Sequence, residues 1–175
     1  EVEIVNILIL NGSPRPNGNT AAMITAFAQG AKRKKHQVTV IDVCKKKIAG
    51  CLGCKHCHTK GGGVCIQKDD MLEVYKALES AEMLVIASPI YYFGYSGQLQ
   101  CAIHRTYAIG IPSKLKKAML ILSSGSDNVY EGAIYEYEKI LEYMNLEDMG
   151  IYKAYGSQNK SEEIMRQLQM AGETL

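Results

Sequence analysis

The sequence predicts an α/β fold, a parallel sheet covered by helices on both faces, and three observations carry that prediction. Short β-branched runs alternate with longer helical patterns from one end of the 175 residues to the other. The first run is continuously apolar in its second half, as burial on both faces of a parallel sheet requires. A loop rich in glycine and asparagine then joins that run directly to a helix, the arrangement found where open parallel sheets bind ligands.

The elements follow in order. Glu3–Leu10 reads as a strand, and Asn19–Lys35 as a helix with Met23, Phe27 and Ala31 on one face. The basic end of that helix, Lys32 to Lys35, complements its C-terminal dipole. Gln37–Val43 is the second strand. Residues 44–68 break the alternation with five cysteines and the triplet Gly61-Gly62-Gly63, which predicts an insertion loop. Asp69 or Asp70 then caps a helix through about Leu78. Met83–Ser88 is a third strand, Gly97–Ala108 a helix, Ala118–Ser123 a fourth strand and Tyr130–Met144 an amphipathic helix. A weaker strand near Met149–Tyr155 and a helix after Ser161 close the pattern. Five βα units in a chain of this size make one domain.

Composition removes several function classes. Hydrophobic residues are 47% and charged residues 22%, a globular balance rather than a disordered one. A net charge of +2 gives no footprint for nucleic acid or an anionic membrane, and the lysine runs read as solvated charge. No apolar run approaches the roughly 20 residues that span a bilayer. The first ten residues are a strand pattern with two acids rather than a basic leader, so the expected location is cytoplasmic. In that reducing setting the six cysteines read as ligands or free thiols before disulfides.

The loop Gly12–Thr20 is a candidate phosphate site. It lies where a strand feeds a helix N-terminus, whose unpaired N–H groups and positive dipole end attract anions. Ser13, Asn19 and Thr20 add donors and Arg15 adds charge. Five residues separate Gly12 from Gly18, and Asn19 stands where a triphosphate loop has lysine. A single phosphate therefore fits better than a triphosphate or a dinucleotide. On these residues alone, a polar turn that merely caps the helix remains an alternative.

The stretch resembles the phosphate loop of flavodoxin-like NAD(P)H-dependent FMN reductases, close to G-S-P-R-x-N-G-N-T. Ser88-Pro89-Ile90-Tyr91-Tyr92-Phe93-Gly94 is similar to the second flavin loop of that family. Ser96-Gly97-Gln98-Leu99, Arg105-Thr106-Tyr107 and Asp69-Asp70-Met71 match further segments in order and spacing. The chain departs in having His104 where the family has an acid before the arginine. The resemblance implies a three-layer flavodoxin-like α/β/α sandwich with strand order 2-1-3-4-5. It implies FMN held by Ser13, Arg15, Asn17, Asn19 and Thr20, by Pro89, Ile90, Tyr91, Tyr92, Phe93 and Gly94, and by Ser124 and Gly125. It also implies NAD(P)H as electron donor, a small-molecule or protein acceptor, and a homodimer or homotetramer. No catalytic side chain is named, because hydride chemistry belongs to the flavin and the protein supplies binding and orientation.

Cys51, Cys54, Cys57 and Cys65 have the spacing C-x2-C-x2-C-x7-C. The first three match the C-x2-C-x2-C run that binds successive corners of a cubane, and the whole resembles the compact motif of iron–sulfur flavoproteins. A [4Fe–4S] cluster is the leading reading. A zinc site using these thiols with His56 or His58, or free thiols, are the alternatives. Cys44 and Cys101 have no spaced partner and read as buried thiols. Three function classes follow: an FMN-dependent NAD(P)H oxidoreductase, a non-enzymatic electron carrier with flavin and cluster, and a zinc-stabilised nucleotide-binding module.

Overall fold

The structure is a computed structural model that describes residues 3–175. Glu1 and Val2, part of the opening segment expected to be free of leader character, lie outside the described residues. In chain order the elements are β1 (Asn6–Asn11), α1 (Asn19–Arg33), β2 (Gln37–Asp42), a single-turn α2 (His56–Thr59) and α3 (Met71–Ser80). They continue with β3 (Met83–Pro89), α4 (Gly97–Arg105), β4 (Lys117–Ser124), α5 (Glu131–Met144), β5 (Glu147–Tyr155) and α6 (Glu162–Glu173).

The five strands form one all-parallel sheet in the order β2-β1-β3-β4-β5, the flavodoxin-like order expected above. Alternate residues of a strand point to opposite faces, and both faces here are apolar. Leu8, Leu10, Leu84, Ile86, Leu120 and Leu122 pack with α3, α4 and α5. Ile7, Ile9, Val85, Ala87, Met119 and Ile121 pack with α1 and α6 on the other side. That double burial explains the unbroken apolar runs of β1, β3 and β4. The edge strand β5 is mostly half-exposed, and its register against β4 shifts between Ala118 and Leu120. Its sequence signal is correspondingly weak.

Helices α1 and α6 pack unusually close, because Gly30 and Gly172 face each other's backbones. A Cβ on Gly30 would run into the Gln169 carbonyl, and one on Gly172 into that of Phe27. Arg33 pairs with Glu173 at the rim of the contact, 2.9 Å apart. No described helix is long and apolar enough to cross a membrane.

Two predictions concern this frame. Gly30→Ala is expected to lower stability by about 1–3 kcal/mol, the usual cost of overpacking a close contact. An unchanged urea midpoint would refute the backbone contact. The second concerns His36, buried beneath β1, where its Nδ1 accepts the Val5 N–H at 3.1 Å. Burial, with Lys117 nearby, holds its pKa below the ordinary 6.5. The fold therefore favours neutral imidazole. Its contribution is fully present above pH 6.5 and is lost as pH falls through the lowered value. Urea midpoints of wild type and His36→Gln should converge as pH drops from 7 to 5, and parallel curves would exclude this role.

Candidate functional site

Every strand ends at the same edge of the sheet, and the chain turns in opposite directions after β1 and β3. A crevice at such a switch point is the expected ligand site. A cavity of about 410 Å³ opens there, lined by Ser13, Arg15, Asn19, Thr20, Pro89, Ile90, Tyr91, Ser123, Ser124, Gly125, Gly156 and Asn159.

The first loop is shaped by Asn11 at the end of β1. Its amide donates to Asp42 at 2.9 Å and accepts the Ser13 N–H at 3.0 Å. Ser13 Oγ in turn accepts the Arg15 N–H at 3.2 Å. Gly12 lies so close to α4 that a Cβ would strike Leu99 and Ser96. Gly18 occupies the cap position of α1 without a side-chain hydrogen bond, and the first turn has no acidic residue. By contrast, α4 and α6 are capped by Ser96 and Ser161. The α1 N-terminus thus keeps its free N–H groups beside Arg15, Asn19 and Thr20, a cradle suited to one phosphate.

The second loop leaves β3 with the Ile90 N–H bonded to the Ser123 carbonyl at 2.7 Å. Tyr91 and Gly94 then pair across a two-residue turn. Its central residues, Tyr92 and Phe93, have φ of +48° and +70°. That geometry ordinarily selects Asn-Gly, and each non-glycine residue there costs about 1–2 kcal/mol. The turn rests on α5, where Gly132 leaves room for the Phe93 carbonyl. Tyr92 is 97% and Phe93 60% exposed.

Thr20 and Ser123 hydroxyls meet at 2.8 Å, joining the first loop to the third. Ser124 Oγ donates to the Ser126 carbonyl and accepts from the buried Tyr130 hydroxyl at 2.7 Å. Ser13, Arg15, Asn19, Thr20, Pro89, Ile90, Tyr91, Ser124 and Gly125 are therefore brought together around one cavity. Tyr92, Phe93 and Gly94 project from the turn outside its lining, and Asn17 lines a separate depression of about 580 Å³ between α1 and α6. Ser123 enters with its expected neighbours Ser124 and Gly125, whereas sequence reasoning missed Gly156 and Asn159. Glycine followed by polar residues directly after β5 is the signal that could have found the last two.

A second cavity, about 270 Å³, is lined by Cys51, Cys54, Cys57 and Cys65 together with Leu52, Ile66, His104, Arg105 and Tyr107. Left-handed backbone at Gly53, Lys55, Gly62 and Gly63 bends the loop around it. His58 Nε2 lies 2.6 Å from the Tyr107 carbonyl and its ring packs on the Tyr107 ring. Among the described residues, no group of three or more His, Cys, Asp and Glu side chains is gathered to hold a single metal ion. Cys44 and Cys101 are half-buried rather than buried. The Cys44 thiol donates to the Gly12 carbonyl at 3.3 Å.

Arg105 anchors the cysteine loop. It is 2% exposed and forms a two-pronged pair with Asp69, at 2.8 and 3.0 Å. It also donates to the Ala49 carbonyl, while the Ala49 N–H donates to Asp69. Burial would raise the Asp69 pKa, but the hydrogen bonds from Arg105 and from backbone N–H groups hold it below the usual carboxylate range. Tyr75, which donates to the Arg105 carbonyl, has its pKa pushed up to about 12, chiefly by burial.

Residues 5–159 match the family of NADPH-dependent FMN reductases. An iron–sulfur flavoprotein of Archaeoglobus fulgidus is 33% identical over 145 residues, covering 83% of this chain and 61% of that protein. An iron–sulfur flavoprotein of Methanocaldococcus jannaschii is 40% identical over 100 residues, 57% of this chain and 50% of that one. The chain thus spans between half and about three fifths of these relatives. Among solved structures, an NAD(P)H:quinone oxidoreductase from Methanothermobacter marburgensis superposes with TM-score 0.71 at 15% identity, covering 98% of this chain and 96% of that one. An FMN-dependent NADH-azoreductase from Bacillus anthracis, solved with FMN, gives 0.68 at 15% identity, covering 97% and 96%. These two likenesses concern the fold.

Asp69→Ala is expected to lower stability by about 3–5 kcal/mol, since it strands a buried guanidinium. Hydrogen exchange at the Ala49 N–H should accelerate, and unchanged protection there would show that the pair does not hold the loop. The lowered Asp69 pKa means this stabilisation is present above pH 3.8 and is lost as pH falls through the lowered value.

Proposed function

Because the chain belongs to the NADPH-dependent FMN reductase family, we propose that it binds FMN in the 410 Å³ cavity and works as an NAD(P)H-dependent oxidoreductase. The observation that carries this reading is the uncapped α1 N-terminus facing Arg15, Asn19 and Thr20 beside a wall from the second and third loops. The N–H groups of α1 and Arg15 would take the phosphate. Pro89, Ile90 and Tyr91 would flank the ring or ribityl chain, and Ser124 and Gly125 would close the other side. When bound, FMN supplies hydride and electron transfer. The residues bind and orient it, and no side chain here needs to move a proton.

The same proposal extends to Cys51, Cys54, Cys57 and Cys65 as ligands of a [4Fe–4S] cluster. All four cysteines line one cavity on a loop bent by four left-handed residues, and their C-x2-C-x2-C run is the spacing that binds successive corners of a cubane. A cluster would supply one-electron transfer. Electrons from NAD(P)H would leave through the cluster or directly to a small-molecule or protein acceptor. A reducing cytoplasm and self-association into a dimer or tetramer accord with this reading.

The four-thiol cavity also favours a second reading, an electron carrier without pyridine-nucleotide turnover. Anaerobic purification, a visible spectrum, iron and acid-labile sulfide assays and NADPH oxidation with added quinone separate these readings. The expected result is flavin absorbance, stoichiometric iron and sulfide, and turnover. Cys57→Ser should lose iron and sulfide yet keep FMN, because the two cavities are lined by different residues. Flavin and cluster without NADPH oxidation would favour the carrier. A colourless protein that retained zinc and bound no added FMN would overturn the flavin reading.

A further inference from the structure

The positive charge of this chain is not spread evenly. Residues 43–68 hold six of its twenty basic residues and none of its eighteen acidic ones, so the rest of the chain carries more acid than base. At the root of the cysteine loop the charge is matched, because Lys45 pairs with Asp42 and Lys46 with Glu73. Further along it is not. Lys55, Lys60 and Lys68 are exposed and enter no ion pair among the described residues. The basic run that ends α1 differs, since Arg33 there pairs with Glu173.

The same loop displays apolar surface. Leu52, Ile66 and Tyr107 line the 270 Å³ cysteine cavity together with Lys55, and they are 70%, 51% and 51% exposed. One exposed apolar residue needs no explanation, but three around one cavity make a patch of the kind that marks an interaction site. The backbone that carries the lysines is anchored. Lys55 and Lys60 bracket the single-turn α2, which His58 ties to the Tyr107 carbonyl at 2.6 Å. Lys68 lies between Gln67, whose amide donates to the Gly50 carbonyl at 3.0 Å, and Asp69, held by Arg105.

An apolar patch on a loop of unmatched lysines selects its partner by sign. Complementary charge raises the encounter rate and fixes orientation more than it adds affinity. Electron-transfer complexes in particular are held by small interfaces. Nucleic acid and anionic lipid need a broad basic surface, which a net charge of +2 over the whole chain does not offer. We propose that the cysteine loop is the docking face for a small acidic electron-carrier protein. Lys55, Lys60 and Lys68 meet its carboxylates, and Leu52, Ile66 and Tyr107 form the centre of the contact. The inference rests on the cluster reading above and adds where a protein acceptor stands and what charge it bears.

The test is calorimetric binding of the anaerobically purified protein to cytochrome c with succinylated lysines, an acidic one-electron protein, and to native cytochrome c, its basic parent. Only the succinylated form is expected to bind, and its affinity should fall as salt rises from about 50 to about 200 mM. Lys60→Glu with Lys68→Glu is expected to weaken it by about two- to thirtyfold, the range that loss of two exposed ion pairs supports. Lys32→Glu with Lys34→Glu, at the end of α1, changes net charge equally and should leave it unchanged. Equal weakening by both pairs of substitutions, salt-independent binding, or binding of both cytochromes or of neither would overturn the proposal. So would tighter binding of duplex DNA or of phosphatidylglycerol vesicles. Far-UV circular dichroism reports folding, and Lys60→Gln with Lys68→Gln is read in the same way should the charge reversals fail to fold. Iron and sulfide missing from a wild type that bound the acidic protein would sink the cluster reading and leave the docking face standing.

Discussion

With all five strands pointing one way, every loop that leaves a strand must leave at the same edge of the sheet, and the helices must return along its two faces. That constraint gathers the loops that follow the strands at one end of the molecule and packs apolar side chains against both faces of the sheet. The cores on the two faces are built on Leu8 and Leu10 to one side and Ile7 and Ile9 to the other. The polar side chains that line the larger sheet-end cavity gather at the carboxyl edge. There Asn11 donates to Asp42, the Thr20 and Ser123 hydroxyls meet, and the Ser124 carbonyl accepts from Asn159, each bond joining segments far apart in the sequence.

The cysteine loop obeys a different logic. It lacks a core of its own, and Leu52, Val64 and Ile66 are exposed. What fixes it is a buried ion pair placed on the neighbouring helix. Asp69 and Arg105 meet each other and both ends of the Ala49 peptide, so the entry to the loop is held by charge-assisted hydrogen bonds. A pair of this kind adds little net stability against an apolar substitute, but it specifies one geometry. That suits a segment whose backbone is already committed to several left-handed residues.

Much of this was legible in the sequence, for physical reasons. Strands β1, β3 and β4 announced themselves because burial on two faces leaves an unbroken apolar run. The first loop was legible because its glycines, asparagines and serine serve backbone geometry locally. The edge strand β5 was faint because half its surface is exposed and its pairing with β4 slips between Ala118 and Leu120. With the strand blurred, the segment after it had no visible role, and Asn159 passed unnoticed. Asp69 and Arg105 were seen as matched segments but not as partners, since 36 residues separate them and only the fold brings them together. Tyr92 and Phe93 stand among the residues of the second loop expected to hold the flavin. Their projection depends on a left-handed turn that aromatic residues seldom adopt and that leans on Gly132 in a distant helix.

The glycine seam between α1 and α6 reaches beyond packing. Helix α1 begins at the first loop, and α6 begins just after Gly156 and Asn159, which line the same cavity, so packing the two helices backbone to backbone ties two sides of the cavity to a single girder. Walls mounted in this way would have little disorder to surrender to a ligand, and preorganisation of that kind would express itself as a long residence time rather than as a slow closing step.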